Sequence, residues 1–100
     1  MEEITRHYLI SGRVQGVGFR AFTHRQAVQL KLRGWVRNLD DGRVEAVAQG
    51  AKAALVEFEA KLRSGPPHGK VESVKIEDVN AKISDDFVVL TDGAEPWSKN

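Results

Sequence analysis

The sequence predicts an α+β sandwich in the order βαββαβ, with two helices on one face of an antiparallel sheet. Three observations carry this expectation. Apolar residues recur at helical spacing in two separate stretches, and shorter apolar or alternating runs flank each of them. Between two of the short runs, Asp41-Gly42 signals a hairpin, which makes the central strands antiparallel neighbours.

Taken in order, residues 5–11 alternate, with Tyr8 and Ile10 on one face, as a half-buried strand does. A glycine-rich stretch follows, Ser11-Gly12-Arg13-Val14-Gln15-Gly16-Val17-Gly18-Phe19-Arg20-Ala21-Phe22. A helix is expected over about residues 20–30, because Phe19, Thr23, Ala27 and Leu30 share a stripe with Phe22 beside it. It stops before Gly34, and Trp35, Val36 and Leu39 mark the second strand. Asp41-Gly42 is expected to form a tight two-residue turn, since both residue types tolerate positive φ. Residues 43–48 then return as the third strand.

Residues 51–63 form the clearest helix, with Ala51, Leu55, Phe58 and Leu62 on one stripe. Ser64-Gly65-Pro66-Pro67 ends it, because glycine caps a helix and proline cannot continue one. Val71, Val74, Ile76 and Val79 make an imperfectly alternating fourth strand, and residues 87–90 a short fifth at an edge. Residues 91–100 turn polar and read as a loose tail, with Trp97 either docked or free, so residues 1–90 are the expected domain. Two helices on one face of such a sheet make the ferredoxin-like sandwich. That fold hosts many activities, so function has to come from the site.

Composition narrows the field. One hundred residues suffice for one domain with a single core, and 41% hydrophobic with 29% charged residues is an ordinary soluble balance. No apolar run approaches the length of a membrane span, and Met1-Glu2-Glu3 lacks the pattern of a secretory signal. There is no cysteine, hence no thiol nucleophile and no zinc-thiolate site. A cytoplasmic, monomeric protein is expected, with no membrane partner. A net charge of +1 argues against a strongly basic nucleic-acid binder. The charge is uneven, however: Arg13, Arg20, Arg25, Lys31, Arg33, Arg37 and Arg43 face only Asp40 and Asp41 within residues 13–43. The two readings are a solvated charged surface and a positive field that steers a small anion.

The glycine loop admits several readings. Gly16-Val17-Gly18-Phe19-Arg20-Ala21 matches a dinucleotide fingerprint, with Asp40 about twenty residues on. The hairpin at Asp41-Gly42 removes the parallel crossover which that fold requires. No lysine follows the glycines as in a P-loop. The same residues resemble the aromatic motif of RNA-recognition domains, but that motif belongs on the third strand, and Val44-Glu45-Ala46-Val47-Ala48 has no aromatic. Two readings stand at this point. One is a plain strand-to-helix turn; the other is an anion cradle of backbone amides at a helix start, with Arg20 supplying a planar fork of donors.

A resemblance separates them. Gly12-Arg13-Val14-Gln15-Gly16-Val17-Gly18-Phe19-Arg20, then Gly34-Trp35-Val36-Arg37-Asn38 and Asp41-Gly42-Arg43-Val44-Glu45, resemble the acylphosphatase family over about residues 5–90. The resemblance implies hydrolysis of the carboxyl–phosphate anhydride of a small acyl phosphate, with no metal and no cofactor. It assigns Arg20 to the phosphate, together with the loop amides of Gln15, Gly16, Val17, Gly18, Phe19 and Arg20, and gives Asn38 the attacking water. Lys31 departs from the pattern, standing where glycine is usual after the first helix. Gly69-Lys70 replaces the usual Ala-Arg, and the tail is longer than typical.

The chemistry is consistent with so few polar groups. A carboxylate leaves readily, and phosphoryl transfer rests on positioning and on stabilising spread charge. His7, His24 and His68 lack a metal-ligand spacing, and Asp40 with Asp41 is read as shaping the hairpin. Phe19, Phe22 and Phe58 are expected in the core. Trp35 either packs in the sheet or borders the site.

Overall fold

A computed structural model describes residues 2–92; the expectations for Trp97 and for the tail from residue 93 onward lie outside them. Seven elements follow in sequence: β1 (Glu3–Arg13), α1 (Phe19–Gln29), β2 (Arg33–Asn38), β3 (Val44–Ala51), α2 (Lys52–Ser64), β4 (Lys70–Asp78) and β5 (Phe87–Val89). The five strands form one sheet in the order β4-β1-β3-β2-β5. This is the expected ferredoxin-like α+β sandwich with a fifth strand at an edge.

Three details correct the sequence reading. The sheet is mixed, because β5 pairs with β2 in parallel, Gly34 opposite Phe87 and Val36 opposite Val89. The chain crosses from β4 to the opposite edge, which brings Phe87 into the core beside Phe58 at 6.2 Å. The hairpin between β2 and β3 is also wider than two residues. The Leu39 amide donates to the Arg43 carbonyl at 2.8 Å, and Gly42 donates back to Leu39 at 3.2 Å with φ of 95°. Asp40, Asp41 and Gly42 therefore form a three-residue loop with the glycine left-handed at its end. Finally, Ala51 is the cap residue between β3 and α2, not the first member of the helical stripe.

The imperfect alternation of the fourth strand has a local cause. Ser11 faces Ser73 while Gly12 faces Val71, so β4 carries one extra residue there and its inward side chains skip from Val71 to Val74. Gly12 is required at this bulge: its φ is 122°, and a Cβ would lie 2.2 Å from the Lys70 carbonyl oxygen.

Alternation along the strands puts Tyr8, Ile10, Val36, Val44, Ala46 and Ala48 on the helix-facing side. They meet Phe19 and Ala27 of α1 and Leu55, Phe58 and Leu62 of α2 in one buried core. Trp35 falls on the other side of β2 and is 7% exposed, with the Arg37 guanidinium 5.8 Å above its ring. It packs on the sheet, the first of its two expected positions.

Lys31 answers the question raised by its place after α1. The Leu32 amide donates to Ala27 at 2.9 Å and the Lys31 amide to Val28 at 3.1 Å, the paired bonds of a Schellman cap. That motif puts Lys31 in the left-handed region, with φ of 59°. A lysine here bears the Cβ strain that a glycine would not.

Candidate active site

The site begins where β1 ends. Val14 is buried and anchors the chain in the core. Gln15 reaches across to the β2–β3 hairpin, its Nε2 donating to the carbonyls of Leu39 at 2.8 Å and Arg43 at 2.9 Å. Gly16 and Gly18 then adopt φ of 74° and 80°, with Val17 between them packed against the core. A Cβ at either glycine would meet nothing within 4 Å, so backbone angle and not crowding favours glycine, and the space in front stays open.

Gly18 is also the N-cap of α1, and the first helical bond runs from the Phe22 amide to the Gly18 carbonyl at 3.0 Å. No side chain caps this end, and its first turn holds no acidic residue. The opening amides of a helix have no intrahelical acceptor, and the helix dipole places partial positive charge on them.

These elements open onto a cleft of about 360 Å³. Gly16, Gly18, Phe19, Arg20 and Ala21 line it from the loop and α1, Asn38 from the end of β2, and Val89, Leu90 and Thr91 from the chain at and after β5. Sheet pairing thus brings Arg20 and Asn38 to one cavity. Phe19 is only 1% exposed, so its ring serves the core and its backbone faces the loop. Gln15 and Val17 are not among the lining residues: one braces the hairpin and the other packs inward.

Asn38 stands out electrostatically. Its Oδ1 is buried with no hydrogen-bond partner among the described residues, a state that costs roughly 1–3 kcal/mol unless water or a ligand answers it. Thr23 Oγ1 shares that state but lies in α1 and does not line the cleft. Arg20 is held at Nη1, which donates to the Leu90 carbonyl at 3.1 Å and to Asp92 Oδ1 at 3.0 Å. Val89, Leu90, Thr91 and Asp92 are the part of the site that the sequence did not announce, since nothing in their composition marks them.

Of the seven basic residues in 13–43, four pair with carboxylates, Arg20 with Asp92 among them. Arg33 pairs with Glu3 at 2.6 Å, Arg37 with Glu45 at 2.7 Å and Arg43 with Asp41 at 2.8 Å. The Arg43 side chain in turn holds the Asp41 carboxyl below the usual carboxylate range. His7 Nε2 lies 2.7 Å from Glu45 Oε2, and the His24 ring is tilted against the Phe87 ring at 6.3 Å. Among the described residues no three His, Asp or Glu side chains cluster as a metal site would.

Architecture and cleft together define a ferredoxin-like α+β protein with a cleft that opens on a glycine-rich strand-to-helix turn. A model of the acylphosphatase family matches residues 6–89. The chain is 53% identical over 74 residues to an acylphosphatase of Koribacter versatilis, 74% of this chain and 67% of that one. It is 46% identical over 89 residues to an acylphosphatase of Pseudomonas aeruginosa, 89% and 98% of the two chains. The solved structure of an acylphosphatase from Coxiella burnetii superposes with a TM-score of 0.84 at 39% identity, covering 88% and 93%. The chain belongs to the acylphosphatase family and is a hydrolase of that family.

Proposed function

We propose that the cleft hydrolyses small acyl phosphates without a metal, with the phosphate held by the loop amides and Arg20 and the attacking water held by Asn38. The observation that carries this reading is the buried Asn38 Oδ1, without a partner among the described residues, in the same cavity as Arg20 and the uncapped start of α1. Oδ1 accepts a hydrogen bond from the water and so turns a lone pair toward phosphorus. Water attacks phosphorus, the bond from phosphorus to the bridging oxygen breaks, and the carboxylate leaves with that electron pair. The proton released by the water passes to a phosphate oxygen, and inorganic phosphate results. Charge on the phosphoryl oxygens falls on the amides and on the Arg20 fork, which suits planar bidentate contact better than a lysine does.

The acyl group then runs along Val89, Leu90 and Thr91, the remaining wall of the cleft. We keep a monomer and a cytoplasmic setting as part of the same proposal. Residues 1–90 remain the proposed domain, although Thr91 and Asp92 of the tail reach the site.

The decisive measurement is turnover of a simple acyl phosphate in excess chelator, beside an alkyl phosphate monoester. Full activity on the first and negligible activity on the second is expected, because no group among the described residues lining the cleft can protonate a poor alkoxide leaving group. Loss of activity in chelator, or equal rates on both substrates, rules the mechanism out. Arg20→Lys extends the test: it keeps the charge, loses the fork, and should weaken inhibition by phosphate and cut activity severely with the circular dichroism spectrum unchanged.

A further inference from the structure

We propose that Asp92 is a positioning residue that fixes the Arg20 guanidinium for phosphate, in concert with the Leu90 carbonyl. The proposal rests on the assignment of Arg20 as phosphate clamp.

A guanidinium has five N–H donors in one plane. Both protons of Arg20 Nη1 have acceptors here, the Leu90 carbonyl at 3.1 Å and Asp92 Oδ1 at 3.0 Å. Two acceptors on one nitrogen set the plane of the whole group. Among the described residues the side-chain edge made by Nε and Nη2 is left, and two parallel donors on that edge match two phosphate oxygens. An arginine that is free to rotate would lose rotamer entropy when phosphate binds; one already held loses less.

The placement of the carboxylate decides against a competing role. Leu90 and Thr91 line the cleft, whereas Asp92 is not among the lining residues, so it holds Arg20 from outside the space a phosphate would fill. Its side chain is 71% exposed, and water and salt screen its repulsion of a phosphate dianion. The directional restraint on Nη1 suffers no such screening. The residues beyond β5 therefore supply part of the site, although they lie past the end of the sheet.

An exposed pair of this kind supports a modest effect, and the expected changes are correspondingly small but patterned. Asp92→Ala should raise KM and the inhibition constant of inorganic phosphate together by about two- to fivefold, with kcat within twofold of wild type, because the clamp holds ground state and transition state alike. Asp92→Asn keeps an oxygen acceptor of the same reach and should recover most of the loss. In an Arg20→Ala background, Asp92→Ala should change phosphate binding no further, whereas a merely structural role would still register. Phosphate binding is read directly by calorimetry or NMR as well as by inhibition. Tighter phosphate binding in Asp92→Ala, an Asn variant no better than Ala, or additive effects with Arg20→Ala would each overturn the inference. Should Arg20→Ala itself bind phosphate like the wild type, it is the clamp assignment that fails; if only the Asp92 variants are silent, the clamp stands and the positioning role falls.

Discussion

Tyr8 in β1 and Asn38 at the end of β2 both stand on the helix-facing side of the sheet, and both bury a polar atom. Their surroundings differ. The Tyr8 hydroxyl donates to Glu59 Oε2 at 2.8 Å, and Arg6 donates to the same oxygen at 2.9 Å and to Asp78 at 2.8 Å. That network ties α2 to β1 and β4, and each of its members has an acceptor or a donor in reach. Asn38 Oδ1 has none among the described residues, and the start of α1 has no side-chain cap. Closed polar networks rigidify a fold, while an unanswered buried acceptor costs free energy in the empty protein. The Tyr8 network uses its hydrogen-bonding capacity within the fold, whereas Asn38 leaves an acceptor open, as its proposed role in holding water requires.

The contrast is broken most directly at Asn38. Asn38→Ala should lower kcat by about two to three orders of magnitude, comparable to removing one preorganised donor from other sites, equivalent to roughly 3–4 kcal/mol. Affinity for inorganic phosphate should stay nearly constant, and thermal stability should not fall, because an unsatisfied atom has been removed. Asn38→Asp should be no rescue, since its carboxylate repels a phosphate dianion. Steady-state kinetics with a phosphate inhibition constant for each variant checks this; an Ala variant with wild-type kcat removes Asn38 from the mechanism.

The Tyr8 network should respond in the opposite way. Glu59→Ala strands the Tyr8 hydroxyl and part of Arg6, and should destabilise by about 2–3 kcal/mol with kcat of the folded protein unchanged. Denaturant midpoints at constant m-value read the loss. The same network has a pH signature. Burial, then the bond to Glu59, pushes the Tyr8 hydroxyl well above its ordinary range. Its neutral form is favoured only in the fold, so this contribution is complete below about pH 10, the unfolded tyrosine range, and is lost as pH rises beyond it. The chain has one tyrosine, so absorbance of tyrosinate is unambiguous. It should appear only together with unfolding; early tyrosinate in folded protein would mean that the network is open to solvent.

The smallest expected effect lies outside both regions. Lys31→Gly relieves the left-handed strain at the end of α1 and should stabilise by about 1 kcal/mol while leaving kcat and KM alone. A melting temperature that does not rise would show that the Schellman cap tolerates its lysine without cost.

Local signals made much of the fold legible. The stripe of Phe19, Thr23 and Ala27 is buried as its spacing requires, and so is that of Leu55, Phe58 and Leu62. Gly16 and Gly18 take the positive φ that a cradle needs, and Lys31 lies strained where glycine was expected. These follow from periodicity and backbone sterics, which act within a few residues and so are written in the order of the chain. Glu59 was invisible for the converse reason: a glutamate on a helical stripe reads as solvated until Tyr8 and Arg6 arrive from a strand more than fifty positions away.

By itself, the sequence determined which segments become helix and strand, where the chain turns, and, through its two motifs, which family it resembles. Tertiary structure alone decided that β5 runs parallel to β2, that Gln15 braces a hairpin and lies off the cleft lining, and that four of the seven clustered basic residues are paired with carboxylates. It also decided that Leu90 and Asp92 meet Arg20 across seventy residues. Those outcomes depend on which surfaces meet when the sheet closes over its core, and contacts between distant segments leave no periodic trace in either segment.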